Sequence, residues 1–393
     1  MEEWKQYKLG EVAIPVKDKI ETSCLDSTSY ISTENMLPDK GGVTLSSSIP
    51  SSNAIMFKNE DILISNIRPY FRKIWRADKV GGCSTDIICL RASNVVEPLF
   101  LYYHLSQDLF FDYAMQGSKG TKMPRGDRNQ IMQWPILLPS KSEQQKIAST
   151  LLVLDDKIEL NRRINDNLEQ QAQALFKSWF LDFEPFKSGR FVESELGMIP
   201  EGWRVVSLGE VTTLEKERVG NRSNVKVLSP IATGELILSE EYFTKQVFSE
   251  SISRYILVKP CFFAYNPARV NIGSIGRNTF DFDGCVSPVY VVFSCEDGYH
   301  YFFDMYRRLS SFKEEVITRS IGGVRQTLNY SDFALIKIVY PPKEIILEFN
   351  ILFERLYQSQ ILYSQENRHL AELRDALLPK LMSGELKIDK VNR

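Results

Sequence analysis

Apolar side chains recur at alternating spacings of three and four residues over two long stretches of the chain. The first stretch should begin near Ser142, where Ser142 and Gln145 fit a capping box. Its repeating positions are Ile147, Leu151, Leu154, Ile158, Asn161, Asn165, Leu168, Ala172, Leu175 and Trp179. This is the pattern of a coiled-coil seam in which two asparagines set the register. A helix of about 38 residues at ~1.5 Å each predicts a rod of roughly 57 Å.

The second stretch predicts another long helix, from about Lys343 to Met382, with Gly384 as its stop. Its stripe is Phe349, Leu352, Leu356, Tyr363, Leu370, Leu373, Leu377 and Leu381. Neither helix can bury its stripe alone, so we expect the two to pack together. The chain order then makes the pair antiparallel. The alternative is that each helix belongs to an ordinary α-helical domain.

The segments outside the helices repeat with a period of about 200 residues. Trp4 is followed by Leu9-Gly10-Glu11-Val12, and Trp203 by Leu208-Gly209-Glu210-Val211. The stretch from Asp61 to Pro69 has a weaker echo from Cys261 to Arg269, and in each copy an aromatic segment, a glycine-led basic stretch and a strand ending in proline follow in the same order. A period this long indicates a duplicated domain, since solenoid units are far shorter. The bland alternative is a duplication with no shared function.

The sequence therefore predicts an α+β protein with an internal repeat of approximate two-fold symmetry. We expect two globular α/β domains, at residues 1–140 and 187–341, held apart by a long antiparallel two-helix coiled coil. Its helices lie within residues 141–186 and 342–393. Two globular units at a fixed separation suit a bipartite DNA site, because the spacing of paired readers matches the spacing of half-sites.

Composition narrows the class of protein. The chain has 393 residues, of which 43% are hydrophobic, and a net charge of -2. A basic DNA-binding surface must therefore be local and balanced by acid elsewhere. Six scattered cysteines without a Cys-x-x-Cys pair favour free thiols in a reducing compartment over a zinc site. The polar, acidic opening and the lack of a long apolar run predict a cytoplasmic protein without a membrane span.

Basic side chains interleaved with aromatic ones or glycines form the candidate DNA-binding surface. Arginine suits guanine edges, asparagine and glutamine suit adenine edges, and glycine-rich loops let backbone N–H groups approach phosphates. A solvated charged loop is the competing interpretation of each cluster. In the first domain the candidate DNA contacts are Asn66, Arg68, Tyr70, Arg72, Lys73, Lys119, Lys122 and Arg125. In the second domain they are Asn266, Arg269, Asn271, Arg277, Arg319, Arg325 and Gln326.

Specific catalytic motifs are missing from the sequence. No phosphate-binding loop with Walker spacing is present, and Asn266-Pro267-Ala268-Arg269 departs from an amino-methyltransferase motif at its last two positions. Asp155 and Asp156 fall within the predicted helix, where a solvated face explains them. His104 and His300 occupy equivalent aromatic segments, so packing explains them without chemistry. We expect a chain with no catalytic residues and no metal site.

Several segments together resemble a known family. They are the two Leu-Gly-Glu-Val openings, the passage Pro139 to Glu143-Gln144-Gln145-Lys146-Ile147-Ala148 with Leu154-Asp155-Asp156-Lys157-Ile158 after it, and the ending Leu377-Leu378-Pro379-Lys380-Leu381-Met382-Ser383-Gly384-Glu385-Leu386. Over nearly the whole chain this pattern is similar to the specificity subunits of type I restriction-modification systems. The second copy departs from it, because Glu344-Ile345-Ile346-Leu347 stands where Glu-Gln is expected.

The resemblance implies a non-catalytic subunit that reads a bipartite, asymmetric site on double-stranded DNA through two target-recognition domains. It implies methylation subunits, two in number, docked on the helices, and restriction subunits in the full complex. S-adenosylmethionine, ATP and Mg would bind those partners and not this chain. The apolar residues outside the seam that would serve assembly are Leu160, Ile164, Phe176 and Phe180. The alternatives are a duplicated DNA-binding regulator without enzyme partners, a stand-alone nuclease or methyltransferase, and a purely structural scaffold.

Overall fold

The chain divides into two compact units, and each long helix is shared between them. The computed structural model describes residues 4–242, 251–320 and 327–388. Unit 1 consists of residues 1–163 and 363–393, and unit 2 of residues 164–362. The four linear segments predicted from the sequence remain predictions, because the compact units follow a different division.

In its described residues, unit 1 contains ten strands and four short helices before the first long helix. The strands are β1 Lys5–Lys8, β2 Ala13–Pro15, β3 Lys19–Glu21, β4 Tyr30–Ile31, β5 Asn53–Phe57, β6 Ile62–Ser65, β7 Ile74–Arg76, β8 Gly81–Cys83, β9 Ile87–Ala92 and β10 Pro135–Leu138. The helices are α1 Leu9–Val12, α2 Pro98–Leu105, α3 Asp108–Gln116, α4 Arg128–Ile131 and the long α5 Lys141–Phe180, with 3-10 turns at Thr22–Cys24 and Pro69–Phe71.

Two four-stranded sheets form the framework of unit 1. The first, in the order β2-β9-β6-β7, is antiparallel throughout, and the second, β3-β5-β8-β4, has one parallel pair, β4 with β8. Strand β6 alternates its side chains: Ile62 and Ile64 pack toward the helices, whereas Leu63 packs in a separate cluster with Phe57 and Cys83. A period of two places successive side chains on opposite faces of a sheet, so one strand contributes to both cores.

Unit 2 follows the same plan. After a 3-10 turn at Glu184–Phe186, its strands are β11 Phe191–Ser194, β12 Gly197–Pro200, β13 Arg204–Ser207, β14 Thr212–Glu215, β15 Lys226–Pro230, β16 Leu236–Leu238, β17 Ile256–Val258, β18 Phe263–Tyr265, β19 Ile275–Arg277, β20 Gly284–Val286, β21 Val291–Cys295 and β22 Lys337–Tyr340. The helices are α6 Leu208–Val211, α7 Ser239–Tyr242, α8 His300–Tyr306, α9 Ser310–Arg319, α10 Tyr330–Phe333 and the long α11 Lys343–Met382, with a 3-10 turn at Val270–Ile272.

The sheets of unit 2 are the antiparallel β14-β21-β18-β19 and the mixed β16-β15-β20-β17, in which β15 and β20 are parallel. Phe263 and Tyr265 of β18 pack with the helices, and Ala264 packs in the second cluster. In both units the strand before the predicted DNA-binding loop, β6 or β18, lies inside the antiparallel sheet. The loop therefore starts from a rigid base.

The repeated Leu-Gly-Glu-Val segment forms the same short helix in both units. Leu9 and Gly10 donate backbone hydrogen bonds to the carbonyls of Trp134 and Met132, at 2.8 and 2.9 Å. Leu208 and Gly209 do the same to Ile336 and Ala334, also at 2.8 and 2.9 Å. A Cβ on Gly209 would lie 2.9 Å from the Ala334 Cβ, and one on Gly10 would lie 3.3 Å from the Met132 carbonyl oxygen. The glycine permits this close approach, which explains why both copies carry it.

Within each unit the two long helices pack against each other in opposite directions. In unit 1, the Asn161 side-chain amide donates to Glu366 Oε2 at 2.7 Å and to Asn367 Oδ1 at 2.9 Å, and Arg374 bonds Asp155 at 2.7 Å. In unit 2, the Phe176 and Phe349 rings lie 6.2 Å apart, and Asn165 donates to the Gln360 carbonyl at 3.3 Å. Residue numbers rise on one helix as they fall on the other, as the sequence predicted.

The start of α5 corrects the predicted cap. Ser140, and not Ser142, caps the helix, because its Oγ accepts from the Glu143 N–H at 3.4 Å and its carbonyl accepts from Gln144. Gln144 is buried, accepts from the Glu97 N–H at 2.8 Å and donates to the Pro139 carbonyl at 3.0 Å. The equivalent position in the second copy is the buried Ile346. The predicted bounds Lys343 and Met382 of the second helix are confirmed, and Gly384 follows it with φ 74°.

Candidate nucleic-acid interface

The two basic clusters of unit 1, far apart in sequence, meet in one place. The loop after β6 carries Asn66 and Arg68, and the glycine-rich loop between α3 and α4 carries Arg125. The Arg68 N–H donates to the Pro124 carbonyl at 2.7 Å, and Ile67 forms a β-bridge with Arg125. The Gly126 N–H donates to the Asn66 carbonyl at 3.1 Å. The structure thus joins the predicted DNA-contact residues of both loops into one surface.

Backbone geometry in this surface is unusual. Arg68 and Arg72 flank the 3-10 turn Pro69–Phe71, and both have φ of 51°, a left-handed conformation that is uncommon outside glycine. A Cβ on Gly126 would lie 2.9 Å from Asn66 Oδ1, so a larger residue there would have to displace the Asn66 side chain where the two loops meet. Strained backbone of this kind concentrates at functional sites.

The predicted side chains of unit 1 differ in availability. Lys119, Lys122, Arg125 and Tyr70 are exposed, Arg68, Arg72 and Lys73 are half-buried, and Asn66 is buried. Arg125 pairs with Asp86 at 3.2 Å and Arg72 with Asp108 at 3.4 Å. Burial and the nearby Arg68 lower the pKa of Lys73, whose Nζ donates to the Thr33 carbonyl at 2.7 Å. Within the described part of the chain, Lys119 and Lys122 have no ion-pair partner. They are the cations most available to a phosphate.

Unit 2 joins the equivalent loops in the same way. The Leu328 N–H donates to the Pro267 carbonyl at 3.1 Å, and Asn266 Oδ1 accepts from the Ala268 N–H at 3.1 Å. Arg269 is exposed and Asn271 is half-buried. Arg319 lies at the end of α9 and pairs with Glu315 at 2.9 Å. The predicted contacts Arg325 and Gln326 lie outside the described residues.

The structure corrects the prediction that Arg277 contacts DNA. Its side chain is 3% exposed and its Nε lies 3.3 Å from Asp304 Oδ2. The guanidinium also lies over the Tyr301 and Tyr357 rings, 4.9 and 5.1 Å from their centroids. Burial alone would raise the pKa of Asp304, but Arg307, Arg277 and Arg308 outweigh it and hold that pKa below its usual range. Arg277 belongs to a buried charge cluster and cannot reach a groove.

The prediction that Phe176 and Phe180 form an assembly surface is also wrong. Both are buried in unit 2, where Phe180 packs 5.0 Å from Phe302 and 4.8 Å from Phe349. Leu160, in contrast, is 52% exposed, and Ile164 is half-buried. The sequence missed other exposed apolar side chains on the long helices, which lie off the 4-3 stripe: Val153, Leu347, Ile351 and Leu362. The signal that could have found them is an apolar residue at a helix position outside the stripe.

The histidine of the first aromatic segment has a packing role in unit 1. His104 is buried, accepts a hydrogen bond from Trp134 Nε1 at 3.4 Å and belongs to the packing of α2. Across residues 4–242, 251–320 and 327–388, no group of three His, Cys, Asp or Glu side chains could hold a metal ion. None of the helices described is long and apolar enough to cross a membrane.

Comparison with known proteins places this architecture. Residues 1–170 match the model of the type I restriction modification DNA specificity domain. The chain is 29% identical to the type I restriction enzyme MjaIX specificity subunit of Methanocaldococcus jannaschii, over 74% of this chain and 70% of that protein. It is 24% identical to the HindI specificity subunit of Haemophilus influenzae, over 98% of this chain and 100% of that one.

A solved structure shares the fold. The type I restriction-modification system S subunit from M. genitalium aligns with a TM-score of 0.58 at 16% identity, over 96% of each chain. The duplicated loops, the shared helices and these sequence matches agree. The chain is thus similar to type I restriction-modification specificity subunits over most of its length.

Proposed function

We propose that this chain is the DNA sequence-specificity subunit of a type I restriction-modification complex. The observation that carries the proposal is a pair of touching loops in each unit. In each unit the loop after the inner strand, β6 or β18, is hydrogen-bonded to a second loop. That second loop follows α3 in unit 1 and α9 in unit 2. Arg68 meets Pro124 in unit 1, and Pro267 meets Leu328 in unit 2. A repeated pair of loops on a rigid sheet is a suitable scaffold for two readers of DNA.

The two readers carry different side chains. Unit 1 presents Lys119, Lys122 and Arg125 around its glycine-rich loop, whereas unit 2 presents Arg269 and Asn271 at its 3-10 turn. Lysines contact phosphates, while arginine and asparagine can contact guanine and adenine edges. Because the two units present different side chains, they read different bases, and the DNA site is bipartite and asymmetric.

The long helices act as the spacer and as the docking surface. Antiparallel contacts between α5 and α11 inside each unit support a coiled coil that sets the distance between the half-sites. Exposed apolar side chains, Leu160 among them, support docking of partner subunits, because contiguous apolar surface marks protein interfaces. The partners are two methylation subunits and, in the full complex, restriction subunits.

This subunit works by positioning and not by catalysis. S-adenosylmethionine, ATP and Mg belong on the partner subunits. Its contribution is to hold the methylation subunit over one adenine of each half-site, and an enzyme acting on a base takes it out of the helical stack. The similarity to specificity subunits gives no support to the alternative of a duplicated stand-alone regulator.

The test is to purify the chain with candidate methylation subunits and to map adenine methylation on DNA of many sequences. We expect a stable complex that methylates one bipartite, asymmetric motif. Exchange of residues 1–140 for those of a relative should change one half of the motif and leave the other half intact. If the chain forms no complex and binds a single DNA site tightly by itself, the proposed function is wrong and the chain is a stand-alone regulator.

A further inference from the structure

A short basic segment outside the predicted DNA-binding loops occurs at the same place in both units. In unit 1 it is Lys17-Asp18-Lys19, leading into β3, and in unit 2 it is Lys216-Glu217-Arg218, following β14. The Asp18 carbonyl accepts from the Met56 N–H at 2.8 Å, and the Glu217 carbonyl accepts from the Leu257 N–H at 2.8 Å. Lys19 pairs with Ile55 and Arg218 with Ile256. The two segments are therefore equivalent in structure as well as in sequence.

The acidic residue in each segment is neutralised by other cations. Asp18 lies 3.9 Å from Arg91 in unit 1. In unit 2, Glu217 bonds Lys259 at 2.8 Å and Arg222 at 2.5 Å, and these hydrogen bonds lower its pKa. Each acid thus already has a cationic partner outside its segment.

The four flanking basic side chains are exposed and free. They are Lys17 and Lys19 in unit 1, and Lys216 and Arg218 in unit 2. None of the four has an ion-pair partner within the ranges that the structure describes. Most of the predicted loop arginines, in contrast, are paired, as Arg125 is with Asp86. Unpaired cations release counterions on meeting phosphate without first breaking an internal ion pair.

In unit 2 these cations border a cleft of about 310 Å³. Arg254 is a third basic side chain in its wall, Tyr290 and Tyr330 supply aromatic surface, and Glu215 accepts a hydrogen bond from Ser294 at 2.8 Å. Tyr330 starts α10 directly after the glycine-rich stretch, and its hydroxyl donates to the Thr212 carbonyl at 3.0 Å. Tyr330 lies two residues after Leu328, whose N–H donates to the Pro267 carbonyl of the candidate DNA interface.

We propose that the cleft of unit 2 binds the sugar-phosphate backbone of one DNA strand through Lys216, Arg218 and Arg254, and that Lys17 and Lys19 make the equivalent phosphate contacts in unit 1. The inference rests on the proposed function and adds residues that the loops do not include. Contacts to phosphate fix the position of a protein on the duplex without carrying sequence information. These side chains set affinity and register in each half-site, while the loops select the bases.

The test compares the full chain with three double variants of equal charge change. K216Q/R218Q removes two cleft cations, and the control R190Q/R204Q removes two exposed arginines of unit 2 outside the cleft. Binding to duplex DNA is measured against salt concentration, for the chain alone and for its complex with methylation subunits. We expect the slope of log K against log salt to fall by about 2 for K216Q/R218Q, since each phosphate contact contributes roughly 0.9. K17Q/K19Q should give the same change.

Affinity should fall by one common factor on target and non-target DNA, and the methylated motif should stay the same. A slope equal to that of the control variant would overturn the inference, and so would a changed motif. Failure of the proposed function is seen separately, as a wild-type complex that methylates no bipartite site. If the wild-type chain shows no salt-dependent DNA binding in either form, the inference fails as well. Circular dichroism of each variant checks that the fold is kept.

Discussion

Asp304 is the centre of a buried charge cluster in unit 2. Its carboxylate bonds Arg307 at 2.5 Å and lies 3.3 Å from Arg277, while Arg307 also donates to the Ile275 carbonyl at 2.9 Å. Buried charges persist only when they are paired, because desolvation costs several kcal/mol per ion. The cluster joins β19 to α8, and the Tyr357 ring under Arg277 extends it to α11. These three elements are consequently locked together beneath the reading loops.

Two arginines eight residues apart should respond differently to the same substitution. Arg277→Gln should destabilise unit 2 by about 3 kcal/mol, since it breaks a buried pair, although Asp304 keeps its bonds to Arg307. Arg269→Gln, at an exposed position, should change stability by less than about 0.5 kcal/mol and weaken DNA binding. Denaturant unfolding and DNA titration measure the two effects. If R277Q is as stable as the wild-type chain but binds DNA weakly, Arg277 contacts DNA after all.

The sequence could not separate these two arginines, because both are basic and both lie near Gly273. Residue type and spacing predict which side chains suit DNA, but exposure depends on what the rest of the chain packs around them. The same limit applies to Phe176 and Phe180, which lie off the seam and yet are buried by Phe302 and Phe349.

Burial lowers the pKa of His104 to about 4, below the ordinary value of 6.5. The unfolded chain therefore binds a proton at a higher pH than the folded chain does. Stability from the neutral imidazole is present above about pH 6.5 and is lost as the pH falls toward 4, by at most about 1.4 kcal/mol per pH unit. Denaturant unfolding from pH 7 to 4 measures this slope. His104→Asn should reduce it, and an unchanged slope would show that His104 is not its source.

At the scale of elements, periodicity located the long helices well. The 3.5-residue repeat predicted both ends of α11, and it predicted the start of α5 to within one residue. An apolar stripe of that length fits no other regular secondary structure. The predicted N-cap of α5 was wrong because Ser140 and Ser142 have the same side chain and can both cap a helix. Only the path of the chain after β10 determines that Ser140 is the cap. The asparagines of the seam were also recognised, but the sequence did not reveal that Asn161 bonds Glu366 and Asn367.

Asn161 is fully buried between the helices of unit 1. Asn161→Ala should cost about 1–3 kcal/mol in the free energy of unfolding, because it leaves the Glu366 carboxylate and the Asn367 amide without this partner. Asn167, exposed on the same helix, provides the control: Asn167→Ala should cost less than about 0.5 kcal/mol. Thermal and denaturant unfolding of the two variants check this. Equal stabilities would mean that the buried amide does not stabilise the pair.

At the scale of the whole molecule, the duplication could be predicted but the composition of unit 1 could not. Leu378, Leu381 and Met382 of α11 lie in the core formed by Leu9, Ile62 and Phe100. Such a contact between distant parts of the chain leaves no local pattern in the sequence. An apolar stripe shows that a helix face is buried, but it does not show which residues bury it.

Leu381 is 1% exposed and Leu373, two turns earlier on the same helix, is 40% exposed. Leu381→Ala should destabilise unit 1 by about 2–5 kcal/mol, whereas Leu373→Ala should cost less than about 1 kcal/mol. Hydrogen exchange of the amides of β6 and β9 reports on unit 1 specifically. Loss of protection confined to unit 2 in L381A would contradict the assignment of α11's last turns to the first core.

The division of the chain has a consequence for synthesis on the ribosome. Residues 164–362 emerge as one continuous stretch, so unit 2 has all its residues before unit 1 does. The first 163 residues must wait for the segment that begins at Tyr363, a delay of about 10–40 s at roughly 5–20 residues per second. During that interval the apolar surface around Leu9 and Phe100 lacks its cover. The nascent chain therefore completes its second reader before its first, and chaperone binding should concentrate on the amino-terminal half.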